Sequence, residues 1–181
     1  MKGVVFTSFL EMVETKFSAD MVDHILLDAA PPNGGAYTAV GTYPHEEMVA
    51  LVVSLSRHCG IAVADLLKVF GEYLFAHFTR AYPSFFAAQS DAFSFLAGIE
   101  AVIHSEVRKL YPDAELPRFE IQRSTEDTLV LAYSSNKHLE DLCEGLIRAC
   151  CAHFKERISL SRQANGEGDS RVERFTLTRD L

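Results

Sequence analysis

The chain has 181 residues, a length that most often folds as one domain with a substantial core, and hydrophobic residues make up 48% of it. Its formal net charge of −8 argues against nonspecific binding to nucleic acid and against binding to an anionic membrane surface. Because no apolar run is long enough to span a bilayer and the N-terminus lacks a signal-peptide pattern, we expect a cytoplasmic protein.

The chain up to about Tyr111 is predicted to be mostly helical. Apolar residues at helical spacing, capping residues and breakers such as Pro83 mark the individual helices. The predicted helices cover 4–16, a segment that begins after Ser18 or Asp20 and ends at Leu27, 44–58, 62–78, and a long segment from Ser90-Asp91 to Leu110.

After Pro112 the hydrophobic period changes to that of strands. Strands are predicted at 118–122 and 128–133, a helix at 139–154, and a second hairpin at 157–162 and 172–178 around Asn165-Gly166-Glu167-Gly168. The pattern therefore predicts an α+β domain over residues 1–181. Its N-terminal part is mostly helical, and a small antiparallel sheet of about four strands, crossed by one helix, follows.

The four cysteines form no C-x-x-C pair, which excludes a zinc ribbon and a covalently attached haem. They are Cys59, Cys143, Cys150 and Cys151. Two interpretations of the adjacent pair Cys150-Cys151 stay open: small buried hydrophobic residues, or a redox pair.

A single histidine, His104, lies inside the last predicted helix of the N-terminal part. Its neighbours Ala97 and Ala101 are small, so a flat group could lie close to this helix face. A neutral imidazole is a good ligand for iron. The alternative is an ordinary helix histidine that pairs with Glu100 or faces solvent.

A polar motif, Tyr133-Ser134-Ser135-Asn136-Lys137, lies where a strand passes into a helix. Its hydroxyl and ammonium groups are hydrogen-bond donors for carboxylates. The alternative is that Ser134 or Ser135 caps the following helix while Tyr133 packs in the sheet.

The order and spacing of these motifs resemble those of the H-NOX (haem-nitric-oxide/oxygen binding) family, of the standalone bacterial type related to the haem domain of soluble guanylate cyclase. The matching segments are Met1-Lys2-Gly3, 70–75, 102–104, Tyr111-Pro112 with Leu116-Pro117, the Tyr-x-Ser motif, and 144–146. The resemblance covers nearly the whole chain. It implies a haem buried between the helical part and the sheet.

The resemblance also implies the roles of individual residues. His104 matches the proximal ligand of a noncovalent haem b, and Lys137 replaces the arginine of the family's Tyr-x-Ser-x-Arg motif, which binds the haem propionates. Pro117 matches a proline that presses on the haem. The remaining cofactor-binding candidates are Tyr133 and Ser135 at the propionates, and Val5, Phe9, Leu142 and Leu146 against the porphyrin or on its distal side.

Two positions set further expectations by resemblance. Leu142 stands where oxygen-binding members have a distal tyrosine, which predicts binding of nitric oxide, with carbon monoxide as a second candidate, and discrimination against oxygen. Glu140 stands where many bacterial relatives have a zinc-binding cysteine, and 165–169 contains no cysteine or histidine, so no structural zinc is expected.

The function implied by the resemblance is a nitric oxide sensor, not an enzyme. It would signal through weakening of the iron–His104 bond to a separate effector, such as a histidine kinase or a cyclic-di-GMP enzyme. We expect loss of this bond in all or part of the nitric oxide complex, since the sequence shows nothing that obviously strengthens it. The alternatives are a haem peroxidase, which needs distal acid–base residues, and a haem-free or redox-responsive interaction domain.

Overall fold

The computed structural model describes residues 1–166 and 171–180. Helices fill the first part of the chain, and four strands and one more helix fill the rest. The helices are α1 Gly3–Lys16, α2 Ala19–Ala29, α3 His45–Cys59, α4 Val63–Ala81, α5 Pro83–Ala87, α6 Ala92–Gly98, α7 Ser105–Leu110 and α8 Glu140–His153. The strands are β1 Arg118–Ser124, β2 Thr128–Ser134, β3 Ile158–Asn165 and β4 Val172–Arg179. The α+β prediction is confirmed.

Local sequence signals account for the helix boundaries. The Ser18 hydroxyl accepts a hydrogen bond of 3.1 Å from the backbone N–H of Met21 and caps α2. Gly60 ends α3 in the left-handed conformation, with φ of 73°, which glycine adopts without steric cost. Asp91 caps α6 by accepting a hydrogen bond from the backbone N–H of Ser94.

The long helix expected from Asp91 to Leu110 is present, but its middle is not an α-helix. A π-helical segment, Ile99–His104, joins α6 to α7, and we call it the π segment. A π-helix has a wider turn, is rare, and is found frequently at functional sites. Side-chain periodicity over six residues cannot distinguish a π-helix from an α-helix, so the π segment was not predictable from the sequence.

The four strands form one antiparallel sheet in the order β1-β2-β4-β3. The central strands β2 and β4 direct alternate apolar side chains into the core, as the period of a half-buried strand requires. Leu131 pairs with Phe175 and Leu129 with Leu177, and all four are fully buried. The turn predicted at 165–168 lies partly outside the described residues.

Two hydrophobic cores fill the molecule. The first core packs α1 to α4 around residues such as Phe9, Leu51 and Phe70. The second core packs α5, α6 and the inner face of the sheet around residues such as Phe95 and Phe175. Helices α4 and α8 contribute side chains to both cores, so they connect the helical part to the sheet.

Helices α4 and α8 cross with their backbones in direct contact. A Cβ atom on Gly71 would lie 2.7 Å from the backbone nitrogen of Leu146 and 2.8 Å from the Cα atom of Gly145. A Cβ atom on Gly145 would collide with the carbonyl oxygen of Lys68. Only glycine at both positions allows this close approach.

The three cysteines at 143, 150 and 151 are buried, Cys59 is half-buried, and all four are free thiols.

Within the described ranges no single helix is both long and apolar enough to cross a membrane. Only α3 and α4 together satisfy that criterion, and the chain bends by 113° between them.

The helix crossing generates a stability prediction. Gly145→Ala should lower the free energy of unfolding by about 2 kcal/mol or more, because the new methyl group overpacks the contact with α4. Urea unfolding followed by circular dichroism measures this change.

Gly98→Ala is the matched control, because the nearest atom to a Cβ there is a Val102 methyl carbon at 3.9 Å. In this open helical position alanine should stabilise by up to about 1 kcal/mol. Equal effects of the two substitutions would show that the crossing does not need glycine.

Candidate functional site

The His104 side chain is buried at the end of the π segment. It is 10% exposed, and its Nδ1 lies 3.0 Å from the Oε2 atom of Glu100, four residues earlier. Its ring lies 5.8 Å from the ring of Phe119 on β1, measured between centroids. The structure thus shows pairing of His104 with Glu100, and it excludes a His104 side chain that faces solvent.

Burial determines the charge of the imidazole, and the pairing with Glu100 determines which ring nitrogen carries the proton. Burial lowers the pKa of His104, although the adjacent Glu100 opposes this effect, so the ring is neutral near pH 7. An ionised carboxylate can only accept a hydrogen bond, so the single ring proton lies on Nδ1. In the described part of the chain Nε2 has no hydrogen-bond partner, and its lone pair is available to a metal.

Glu100 is itself held by three donors. Its Oε1 accepts a hydrogen bond of 2.7 Å from Arg108, and its Oε2 accepts one of 3.3 Å from the backbone N–H of Phe119 as well as the one from His104. Burial alone would raise the pKa of Glu100, but these hydrogen bonds outweigh burial and lower it. Glu100 therefore stays ionised and oriented.

The Tyr-x-Ser motif forms a local hydrogen-bonded unit at the end of β2. Tyr133 is 5% exposed, its ring lies 5.4 Å from the ring of Phe119, and burial raises the pKa of its phenol, which stays protonated as a donor. The nearby Ser135 partly opposes this rise in the pKa of Tyr133. The Ser135 oxygen accepts a hydrogen bond of 3.2 Å from the backbone N–H of Lys137.

Lys137 is buried and engages a partner that the sequence did not indicate. Its Nζ donates hydrogen bonds of 3.1 Å to the carbonyl oxygen of Glu115 and of 3.0 Å to the Glu115 carboxylate. An ammonium has three donors, so one remains for a further acceptor. A surface crevice of about 410 Å³ adjoins this motif and is lined by Glu115, Leu116, Arg118, Ser134, Ser135 and Asn136.

Most of the apolar candidates belong to the hydrophobic cores or pack against them. Phe9 and Leu142 belong to the first core, and half-buried Val5 packs against it. Leu146 packs against both cores. Pro117 is half-buried just before β1. Both Leu142 and Leu146 lie on α8, whose backbone contact with α4 fixes their position.

Glu140, the residue at the position of a family zinc ligand, takes part in ion pairs. It lies 3.1 Å from the guanidinium of Arg171, which also pairs with Glu173. Among residues 1–166 and 171–180 no group of three or more His, Cys, Asp or Glu side chains has the arrangement of a metal site. Absence of structural zinc stays a prediction.

The residues present fit a haem. His104 offers a neutral imidazole with a free nitrogen, which is one of the donors by which proteins bind haem iron. Tyr133, Ser135 and the third Lys137 proton are donors for carboxylates. The candidates in or against the hydrophobic cores have the apolar character that a porphyrin surface requires. Sequence reasoning found His104 and the Tyr-x-Ser motif, and it weighed pairing of His104 with Glu100 only as an alternative to iron binding. It missed the supporting roles of Arg108, Phe119 and Glu115.

Comparisons with known proteins agree with this geometry. The chain matches the Haem-NO-binding family over residues 2–162. A search of curated protein sequences finds no match.

Solved structures of H-NOX proteins superpose on nearly the whole chain. A mutant of the K. algicida H-NOX protein in the unliganded Fe(II) state is 36% identical, with a TM-score of 0.94 and coverage of 100% of this chain and 97% of the other. The S. oneidensis protein in the Fe(II)NO state is 26% identical, with a TM-score of 0.90 and full coverage of both chains.

The Shewanella woodyi protein in the Fe(II)CO state is 35% identical, with a TM-score of 0.85 and coverage of 99% of this chain and 95% of the other. These matches and the family match over most of the chain show that this chain belongs to the Haem-NO-binding, or H-NOX, family.

Proposed function

We propose that residues 1–181 form one cytoplasmic haem-based sensor domain that binds nitric oxide and has no catalytic activity of its own. One observation carries this proposal: His104 is buried and neutral, and its Nε2 lacks a hydrogen-bond partner among the described residues. The family match and the relatives solved in Fe(II)NO and Fe(II)CO states support it.

Haem b, bound without a covalent link, would supply a ferrous iron that binds diatomic gases. His104 would hold this iron through Nε2. Tyr133 and Ser135 would donate hydrogen bonds to the propionates, and Lys137 would add its remaining donor while Glu115 holds its other two. Val5, Phe9, Leu146 and Pro117 would pack against the porphyrin.

Leu142 is proposed to set the selectivity among gases. Oxygen bound to ferrous haem draws negative charge and is stabilised by a hydrogen-bond donor, whereas nitric oxide needs little such help. Leu142 is 8% exposed and lies in the apolar first core, together with Phe9. A pocket with these side chains favours nitric oxide, and carbon monoxide as a second ligand, over oxygen.

Signalling would use the connection of His104 to both parts of the molecule. Binding of nitric oxide would weaken the bond between His104 and the iron, and loss of that bond would release His104 and the π segment. Glu100 connects the π segment to β1 through the Phe119 N–H. Movement of the π segment would therefore change its position relative to β1. An effector protein, such as a histidine kinase or a cyclic-di-GMP enzyme, would distinguish the two states by differential affinity.

The pairing of Lys137 with Glu115 favours one second candidate, a haem-free interaction domain, because two propionate-binding donors are already occupied. An interaction domain that responds to oxidation of its cysteines has less support. Burial raises the pKa of the Cys143 and Cys150 thiols, and that of Cys151 to about 11, so little reactive thiolate forms. The apolar distal candidates also argue against a peroxidase.

The first prediction from this proposal concerns the iron ligand. His104→Ala should abolish stable haem absorption, and added imidazole should restore it by occupying the vacated space next to the iron. Absorption spectra after haem supplementation measure both effects, and elemental analysis of the wild-type protein should find iron and no zinc.

His153→Ala is the control, since His153 lies on α8 among aromatic rings of the second core. It should bind haem as the wild-type protein does. Unchanged haem binding by His104→Ala would contradict the assignment of the ligand.

The second prediction concerns gas selectivity. Leu142→Tyr should give a ferrous protein that forms a persistent oxygen complex in air, because the phenol adds a hydrogen-bond donor to the apolar pocket. Leu142→Phe adds a ring of similar size without the hydroxyl and should leave oxygen discrimination unchanged. Spectra recorded in air after reduction measure this difference, and identical behaviour of the two variants would disprove the role of Leu142.

A further inference from the structure

We propose that Glu100 is a positioning residue that strengthens the bond between His104 and haem iron, so that His104 stays bound in a substantial share of the nitric oxide complex. This inference rests on the proposed haem-binding function. The sequence showed no residue that would strengthen the iron–His104 bond. Glu100 now takes that role in the proposal.

The two carboxylate oxygens of Glu100 have different partners. Oε2 lies 3.0 Å from the Nδ1 atom of His104, within the range of a normal hydrogen bond. Oε1 is engaged by Arg108 at 2.7 Å. The side chain of Glu100 is 33% exposed and that of His104 10%, so the hydrogen bond to the imidazole lies on the protein side of the carboxylate.

A carboxylate acceptor changes the imidazole electronically. Hydrogen bonds to an ionised acceptor are roughly twice as strong as those between neutral groups. Withdrawal of the Nδ1 proton toward Glu100 places more negative charge on the ring and makes Nε2 a stronger donor to a metal. A carboxylate that accepts the second N–H of a ligating histidine also fixes the tautomer and the ring orientation.

The arrangement is held from two directions. Glu100 and His104 both belong to the π segment, and β1 adds the Phe119 N–H, which donates to the same Oε2 at 3.3 Å. The ring of Phe119 lies beside the imidazole. Departure of His104 from the iron must therefore break the hydrogen bond to Glu100 or displace the π segment against β1. Either event raises the free energy of the state in which His104 is detached from the iron.

The test is the iron–histidine stretching frequency of the reduced, haem-loaded protein, measured by resonance Raman spectroscopy. Glu100→Ala removes the acceptor and should lower the frequency. Glu100→Gln keeps the side-chain volume and a neutral acceptor, and should give an intermediate value. It also supplies the comparison if the alanine variant fails to fold.

Glu106→Ala is the matched control, because Glu106 lies on the same continuous helix and pairs with Lys109. The iron–histidine stretching frequency of this variant should equal that of the wild-type protein.

In the nitric oxide complex the ratio of His104-released to His104-bound protein should rise about tenfold in Glu100→Ala. This is the order expected for the loss of one hydrogen bond to a charged group.

The outcomes separate this inference from the proposed function. If the wild-type protein binds no haem, both are overturned. If it binds haem but Glu100→Ala leaves the stretching frequency and the nitric oxide complex unchanged, the role of Glu100 is overturned and the sensor proposal stands. A downshift in both Glu100 variants, absent in Glu106→Ala, supports the inference.

Discussion

The two cores of the molecule are held together where the backbones of α4 and α8 touch at Gly71 and Gly145. No side chain separates the helices there, so their relative position has little freedom. Helix α8 then carries Leu142 into the first core and Ile147 into the second. The positions of the apolar candidates on α8 therefore depend on a backbone contact that is possible because Gly71 and Gly145 have no side chains.

The polar side of the site depends on one carboxylate. Glu100 accepts hydrogen bonds from His104, Arg108 and the Phe119 N–H, and so connects the π segment, α7 and β1. Burial keeps the imidazole neutral, and the hydrogen bond to Glu100 places its single proton on Nδ1. A histidine paired with a glutamate could be read as a purely structural feature, but here the pairing is what leaves Nε2 available to a metal.

Patterns within a few residues predicted the helices, the strands and the α+β class, since capping residues and hydrophobic periods act locally. The family resemblance pointed to His104 and Tyr133. Contacts between distant segments were not predictable: Lys137 meets Glu115 across 22 positions, and the Phe119 N–H meets Glu100 across 19. Strand order and the π segment were missed because neither leaves a periodic signal in the side chains.

The most direct test of the sensor account is the absorption spectrum of the purified, reduced, haem-loaded protein, recorded before and after nitric oxide and again in air. The account predicts a ferrous haem spectrum that changes with nitric oxide and is unaffected by oxygen binding. Absence of haem absorption after supplementation, or a stable oxygen complex in air, would contradict it.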